Sequence, residues 1–184
     1  SAERTCPAHL RRPLKDGLID DPCVVVQSSR EAEVEGDAWQ AAHGLEELEE
    51  LAGRALPTVE DVTDFARSLL RDSHAAILVS LGEHGALLVT ADHTVWANHE
   101  PVEADSTVGA GDSSLAGYLS ADLAVKSNIS DIRDALSFKV STAVAWGAAA
   151  VQLPGTTVPG PNDITLNKVT AQTSPESQAR IEEL

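Results

Sequence analysis

The chain has 184 residues, 42% of them apolar, enough for one domain with its own core. Its 29 Asp and Glu against 13 Lys and Arg leave a net charge of −16, a field that repels nucleic acid and anionic membranes. Aromatic residues are only 3%, too few for base-stacking platforms, and no apolar run approaches the roughly 18 residues of a membrane-spanning helix.

Residues 1–22 are polar and rich in turn formers, with Arg11, Arg12 and Lys15, and begin without the apolar stretch of a secretory signal. A cytoplasmic location is expected, and with it two reduced thiols at Cys6 and Cys23. Val24-Val25-Val26 reads as a short buried strand after Pro22. Residues 27–44 carry mixed charge without clear period. From Leu45 the pattern turns helical, with Leu45, Leu48 and Leu51 on one face, Glu on the other, and Gly53 as a stop. Pro57-Thr58 opens a second helix whose core positions are Val59, Val62, Phe65, Ala66, Leu69 and Leu70.

Ala75–Ser80 is a continuous apolar run, as in the centre of a parallel sheet. Gly82 and Gly85 make a turn into a strand at Ala86–Thr90, and Asp92-His93 turns into Thr94–Ala97. Helices are predicted at about 110–125 and 131–149, both apolar enough to be largely buried. Pro154, Gly155, Pro159, Gly160 and Pro161 break the pattern. Ser174 to Leu184 reads as a weak polar helix or a frayed tail. Strands alternating with helices predict an α/β layer architecture with a mainly parallel sheet. Ligands bind beyond the carboxyl ends of such strands, where both glycine-rich turns are expected.

The second of those turns carries the chemistry. In Ser106-Thr107-Val108-Gly109-Ala110-Gly111-Asp112-Ser113-Ser114-Leu115-Ala116-Gly117, three small residues precede an acid and an apolar helical run. A tight turn of small residues leaves backbone N–H groups uncovered. At a helix N-terminus those groups and the helix dipole favour an anion. Asp112 is then placed to take a proton from a nucleophile, which is the combination that phosphoryl transfer requires. Ser113, Ser114, Ala116 and Gly117 let the first helical turns pack closely on neighbouring backbone. The plainer reading of Gly-Ala-Gly-Asp is a capped helix start.

This stretch resembles the C-terminal motif of the ribokinase/PfkB family of sugar kinases. Ser106-Thr107, where many relatives have Asp-Thr, is most similar to its phosphosugar branch, which includes the 1-phosphofructokinases and tagatose-6-phosphate kinases. The resemblance implies a ribokinase-like three-layer α/β/α fold. It runs from about Leu45 to Pro161 and matches the C-terminal portion of the family alone. On that basis residues 1–44 are a divergent segment, 45–161 the nucleotide-binding portion, and 162–184 a terminal strand, helix or tail.

It also implies site residues. Asp112 is the catalytic base, and the backbone of Gly109, Ala110 and Gly111 is the anion hole. Ser80-Leu81-Gly82-Glu83-His84-Gly85-Ala86, by itself a hairpin turn, resembles the family's nucleotide-binding turn, so that Ser80, Gly82, Glu83 and Gly85 border ATP. Ala143–Ala150, by itself a tightly packed helix, matches the helix beside the adenine, with Val144 and Ala148 near the base. The ligands implied are ATP, Mg2+ and a sugar phosphate: fructose 1-phosphate going to fructose 1,6-bisphosphate, with tagatose 6-phosphate as the alternative.

Two departures matter. The family's sugar-binding acid, Gly-Gly-Asn contact and β lid have no counterpart here. The family's Lys-Pro-Asn, followed by an acidic helix, also lacks its Lys and Asn. Two stretches compete for that place, Gln27-Ser28-Ser29-Arg30-Glu31 and Ala42-His43-Gly44-Leu45-Glu46-Glu47, and Glu47 is a weak candidate for the metal-side acid. The 184 residues alone are therefore expected to lack sugar kinase activity and, through uncovered apolar surface, either to form a homo-oligomer or to be marginally stable. A non-catalytic nucleotide-binding fragment or pseudoenzyme is the alternative.

Overall fold

The structure is a computed structural model that describes residues 40–70, 76–125 and 131–184. The expected strand at Val24–Val26, both cysteines and the stretch Gln27–Glu31 lie outside the described residues. Five strands and four helices follow in the order β1 (Gln40–Gly44), α1 (Leu45–Ala52), α2 (Val59–Leu69), β2 (Ala76–Ser80), β3 (Ala86–Thr90), β4 (Thr94–His99), α3 (Ala110–Val125), α4 (Ile132–Val151) and β5 (Val169–Thr173).

The apolar run of β2 is buried on both faces because helices cover both. Successive strand residues point to opposite sides. Ile77 and Val79, with Leu87 and Val89 of β3, meet Leu48 of α1 and Val59, Val62 and Ala66 of α2. Their neighbours Ala76, Leu78, Ala86 and Leu88 meet Tyr118 of α3 and Leu136, Val140, Ala143 and Val144 of α4. Two cores thus lie back to back across one sheet, giving the expected three layers.

The expectation of a mainly parallel sheet is not met among the described residues. The sheet runs β1-β2-β3-β4-β5. β1 pairs with β2 in parallel, whereas β2–β3, β3–β4 and β4–β5 are antiparallel. For β2–β3 and β3–β4 the reason is connection length. A parallel crossover needs a dozen or more residues, and β1 to β2 has room for α1 and α2. Residues 81–85 and 91–93 leave room only for hairpins. Strand β1 has no apolar signal in 40–44, and β5 lies in the stretch 162–184 where a terminal strand, helix or tail is expected.

Local signals account for the helix ends. Gly53 closes α1 with φ of 65°, and its N–H donates to Glu50 O. Thr58 caps α2, its hydroxyl oxygen accepting from Asp61 N–H at 3.1 Å. α4 is largely buried, as expected. α3 is buried on one side by Leu115, Tyr118 and Ala121, while Leu123 on the other side is 70% exposed. Between the two helices Lys139 Nζ lies 2.6 Å from Asp122 Oδ1, both side chains being nearly covered. Burial pushes the Tyr118 phenol well above its usual range, and the Asp122 charge pushes it in the same direction.

The C-terminus is not frayed. After β5 the chain returns to the start of α2, where Val59 N–H donates to Ala179 O, Glu60 N–H to Ser177 O and Ile181 N–H to Pro57 O, at 3.0, 2.8 and 2.9 Å. The Val59 and Glu60 amides belong to the start of α2 and need outside acceptors. Ile181 is buried in the core beside α1 and α2. Its patterning is too sparse to see in sequence, since Ile181 is the one buried apolar residue of the segment, with Ala179 and Leu184 only partly buried beside it.

Two predictions follow from these contacts. Ile181→Ala removes the anchor of the tail and is expected to cost about 2–4 kcal/mol in urea unfolding. An unchanged midpoint would mean that the tail does not dock. The second concerns Asp61. The Arg54 guanidinium, 2.8 Å from its Oδ1, and the Thr58 hydroxyl, 2.7 Å from its Oδ2, hold its carboxyl below the usual range. A depressed folded pKa adds stability above the unfolded value, near ~3.9, and loses it as pH falls through the folded value. The stability gap between the unaltered chain and Asp61→Asn should therefore shrink on acidification below about pH 4.

Candidate active site

Strands β1 and β2 run in parallel and end side by side, Gly44 opposite Ser80. Their carboxyl ends form the rim where ligands bind in this architecture. Of the two stretches competing for the acidic-helix position, only Ala42–Glu47 falls within the described residues, and there α1 starts directly after Gly44. A Cβ on Gly44 would lie 3.9 Å from Ser80 Oγ, so the strand end has space for a side chain that this sequence does not supply. The Glu47 carboxylate accepts the Gly44 N–H at 3.2 Å and caps its own helix. Among the described residues no three His, Cys, Asp or Glu side chains gather as a metal site would need.

The turn after β2 is rigid. Gly82 to His84 form a single 3-10 turn, Leu81 N–H donates to Gly85 O at 2.8 Å, and Trp96 Nε1–H donates to His84 O at 2.9 Å. Gly82 has φ of 64° and Gly85 of 84°, values that favour glycine. A Cβ on Gly85 would collide with Ala97 O and come within 2.8 Å of Asn98 Cα, so this glycine is demanded by the neighbouring strand. The Glu83 side chain is 90% exposed and approaches His84 Nε2 at 3.8 Å.

The turn before α3 is held from behind. Asp105 N–H and Ser106 N–H both donate to Val151 O, the end of α4, at 2.7 and 3.1 Å. Val108 N–H then donates to Ser106 Oγ and Ala110 N–H to Thr107 O, each at 3.3 Å. Gly109 turns the chain with φ of 81°. Ser113 N–H donates to Gly109 O at 2.9 Å and α3 is under way. Among the described residues, the N–H groups of Gly109, Gly111 and Asp112 have no hydrogen-bond acceptor in the chain. The uncovered set differs from the expected one by one residue, because Ala110 closes a turn while Asp112 contributes its own amide. The Asp112 side chain is exposed in the first turn of the helix, where a negative charge is favoured by the dipole.

The adenine-side candidates divide. Val144 is 7% exposed and sits in the core with Tyr118 and Val140, whereas Ala148 is half-buried. Sequence reading did not pair the contacts that bring α4 against α3. A Cβ on Gly147 would run into Ser114 Oγ, and a Cβ on Gly117 would stand 2.7 Å from Trp146 Cδ1 and 2.9 Å from Thr142 O. The small-residue runs pointed to close packing; which residue meets which is a matter of helix crossing.

Residues 29–163 match the model of the pfkB family carbohydrate kinases, and the chain belongs to that family. It is 42% identical over 101 residues to the 1-phosphofructokinase of Escherichia coli strain K12, covering 53% of this chain and 32% of that protein. Against the 1-phosphofructokinase of Haloferax volcanii it is 36% identical over 137 residues, 74% of this chain and 42% of the relative. The crystal structure of phosphofructokinase-2 from Escherichia coli in complex with potassium superposes with a TM-score of 0.58 at 31% identity, over 70% of this chain and 39% of that one. The fold is ribokinase-like. The chain spans between about a third and two-fifths of the length of these relatives.

The glycines of the two turns should behave differently on substitution. Gly85→Ala combines a positive φ with a backbone collision and should lose at least about 2 kcal/mol of stability. Gly111 has ordinary backbone angles and open space where its Cβ would go, so Gly111→Ala should melt within a degree or two of the unaltered chain. Thermal melts of both variants check this, and equal losses would contradict the geometry.

Proposed function

We propose that this chain carries the phosphoryl-transfer half of an ATP-dependent sugar-phosphate kinase of the 1-phosphofructokinase type. The observation that carries the reading is the start of α3, where the N–H groups of Gly109, Gly111 and Asp112 lack acceptors among the described residues, beside an exposed Asp112. Donors fixed in place need no reorganisation as charge develops on a transferring phosphoryl group, and one such donor is worth about 100-fold or more in rate. They act locally, which lets a protein with net charge −16 accept an anion.

In this reading Asp112 takes the proton from the attacking sugar hydroxyl as the oxygen–phosphorus bond forms. The phosphoryl group leaves ADP and passes to the sugar, with fructose 1-phosphate as the acceptor and fructose 1,6-bisphosphate as the product. Gly82 and Gly85 shape the turn that borders the nucleotide, with Ser80 and Glu83 on the same segment and Ala148 on the α4 side. Glu47 is engaged in capping α1, the described residues provide no metal-ligand cluster, and no step is assigned to magnesium.

A second reading, nucleotide binding without transfer, is favoured by one position. Gly44 stands at the strand end where the family resemblance calls for an Asn side chain. Calorimetry with ATP and magnesium, alongside a coupled ADP-release assay with fructose 1-phosphate, separates the readings. Nucleotide binding without sugar-dependent ADP release is the signature of the second. Where turnover is present, Asp112→Asn should keep nucleotide affinity and lower kcat by about 100-fold or more. Near-normal turnover in that variant would remove Asp112 from the role of base.

A further inference from the structure

Helices α3 and α4 approach each other through two reciprocal contacts. Gly147 of α4 faces Ser114 of α3, and a Cβ there would collide with Ser114 Oγ while lying 3.6 Å from both Ser114 Cβ and Ala110 O. One turn further along α3, Gly117 faces Trp146, the residue next to Gly147, and a Cβ there would meet its ring at 2.7 Å. Ser114 and Gly117 are three residues apart and share one helix face. Each helix thus offers one glycine and receives one side chain, and two contacts a turn apart fix both the rotation and the rise of α3. At the first of them, a side chain on Gly147 would also reach the turn that starts the helix, at Ala110 O. The same turn is tied to the far end of α4 through Asp105, Ser106 and Val151.

We infer that Ser114 and Gly147 are positioning residues for the Gly109–Asp112 turn: their contact sets where its uncovered amides and the Asp112 carboxylate stand relative to the α4 side of the site. Neither residue is a ligand contact in this account; both act through α3. The inference relies on the functional reading above for what the turn binds, but not for where the turn sits.

The contact can be tested by exchanging volume across it. Gly147→Ala inserts a methyl group into the space held by Ser114 Oγ. Ser114→Ala empties that space. The double variant puts the two Cβ atoms at an ordinary separation and refills it. Backbone amide NMR shifts and solvent-exchange rates at Gly109, Gly111 and Asp112 report the position of the turn without any ligand, and calorimetry with ATP and magnesium reports its consequence. Gly147→Ala should shift those three amides and weaken nucleotide binding by about tenfold, the scale of coupling through packed elements. Ser114→Ala should raise their exchange rates. The double variant should return both readouts toward those of the unaltered chain, whereas Gly117→Ala, which meets the backbone at Thr142 O, should not be rescued by Ser114→Ala.

Unmoved amides in a folded Gly147→Ala chain would overturn the inference, and so would a double variant no closer to the unaltered chain than Gly147→Ala. Should Gly147→Ala fail to fold, Ser114→Ala and the double variant decide: exchange rates identical to those of the unaltered chain in Ser114→Ala overturn it. If the amides respond as stated while the unaltered chain binds no nucleotide, the positioning role stands and the kinase reading fails.

Discussion

Everything in this molecule depends on a sheet buried on both faces. Ile77 and Leu78 are adjacent in sequence yet belong to different cores, and neither core closes without its own pair of helices. The burial is worth roughly 1.5–3 kcal/mol for each fully covered large apolar side chain, so the sheet and both helix layers stand or fall together. This is also why β2 and β3 read as unbroken apolar runs, where a one-sided sheet would show alternation.

The consequence for the site is that its two turns are held by the packing of strands and helices on opposite sides of them. The turn after β2 is clamped by β4, through Trp96 on His84 O and through the absence of a side chain at Gly85. The turn before α3 is clamped by α4 at two places, Val151 and Gly147. Backbone donors fixed in this way keep their orientation when an anion arrives, so little of the interaction is lost to ordering. The chain carries a net charge of −16, and the amides at the start of α3 act over a range too short for that overall field to cancel.

One of the two departures expected from the resemblance concerns the end of β1. The described part of the sheet ends at β1, whose last residue, Gly44, leaves open space beside Ser80. α1 is capped there by its own Glu47. The same carboxylate takes the amide that precedes the helix, a cap local to the first turn.

The sequence by itself determined the family, the two glycine turns, the helices α1 to α4 and the strands β2 to β4. Those signals are local: a helical or apolar period, a capping residue such as Thr58, a glycine at positive φ. The Gly109–Asp112 motif was legible for the same reason, since its chemistry lies in consecutive residues. Only the tertiary structure decided the rest. The antiparallel pairing of β2, β3 and β4 follows from connection length acting on strand order, and an apolar strand looks alike in either direction. β1 and β5 have too few apolar residues to announce themselves and exist because a neighbouring strand offers hydrogen bonds. The docked tail is held by Ile181 and by backbone hydrogen bonds to the start of α2, and the meeting of Ser114 with Gly147 depends on how two helices cross. That angle is set by packing across 33 positions of chain, 114 to 147, and no local pattern encodes it.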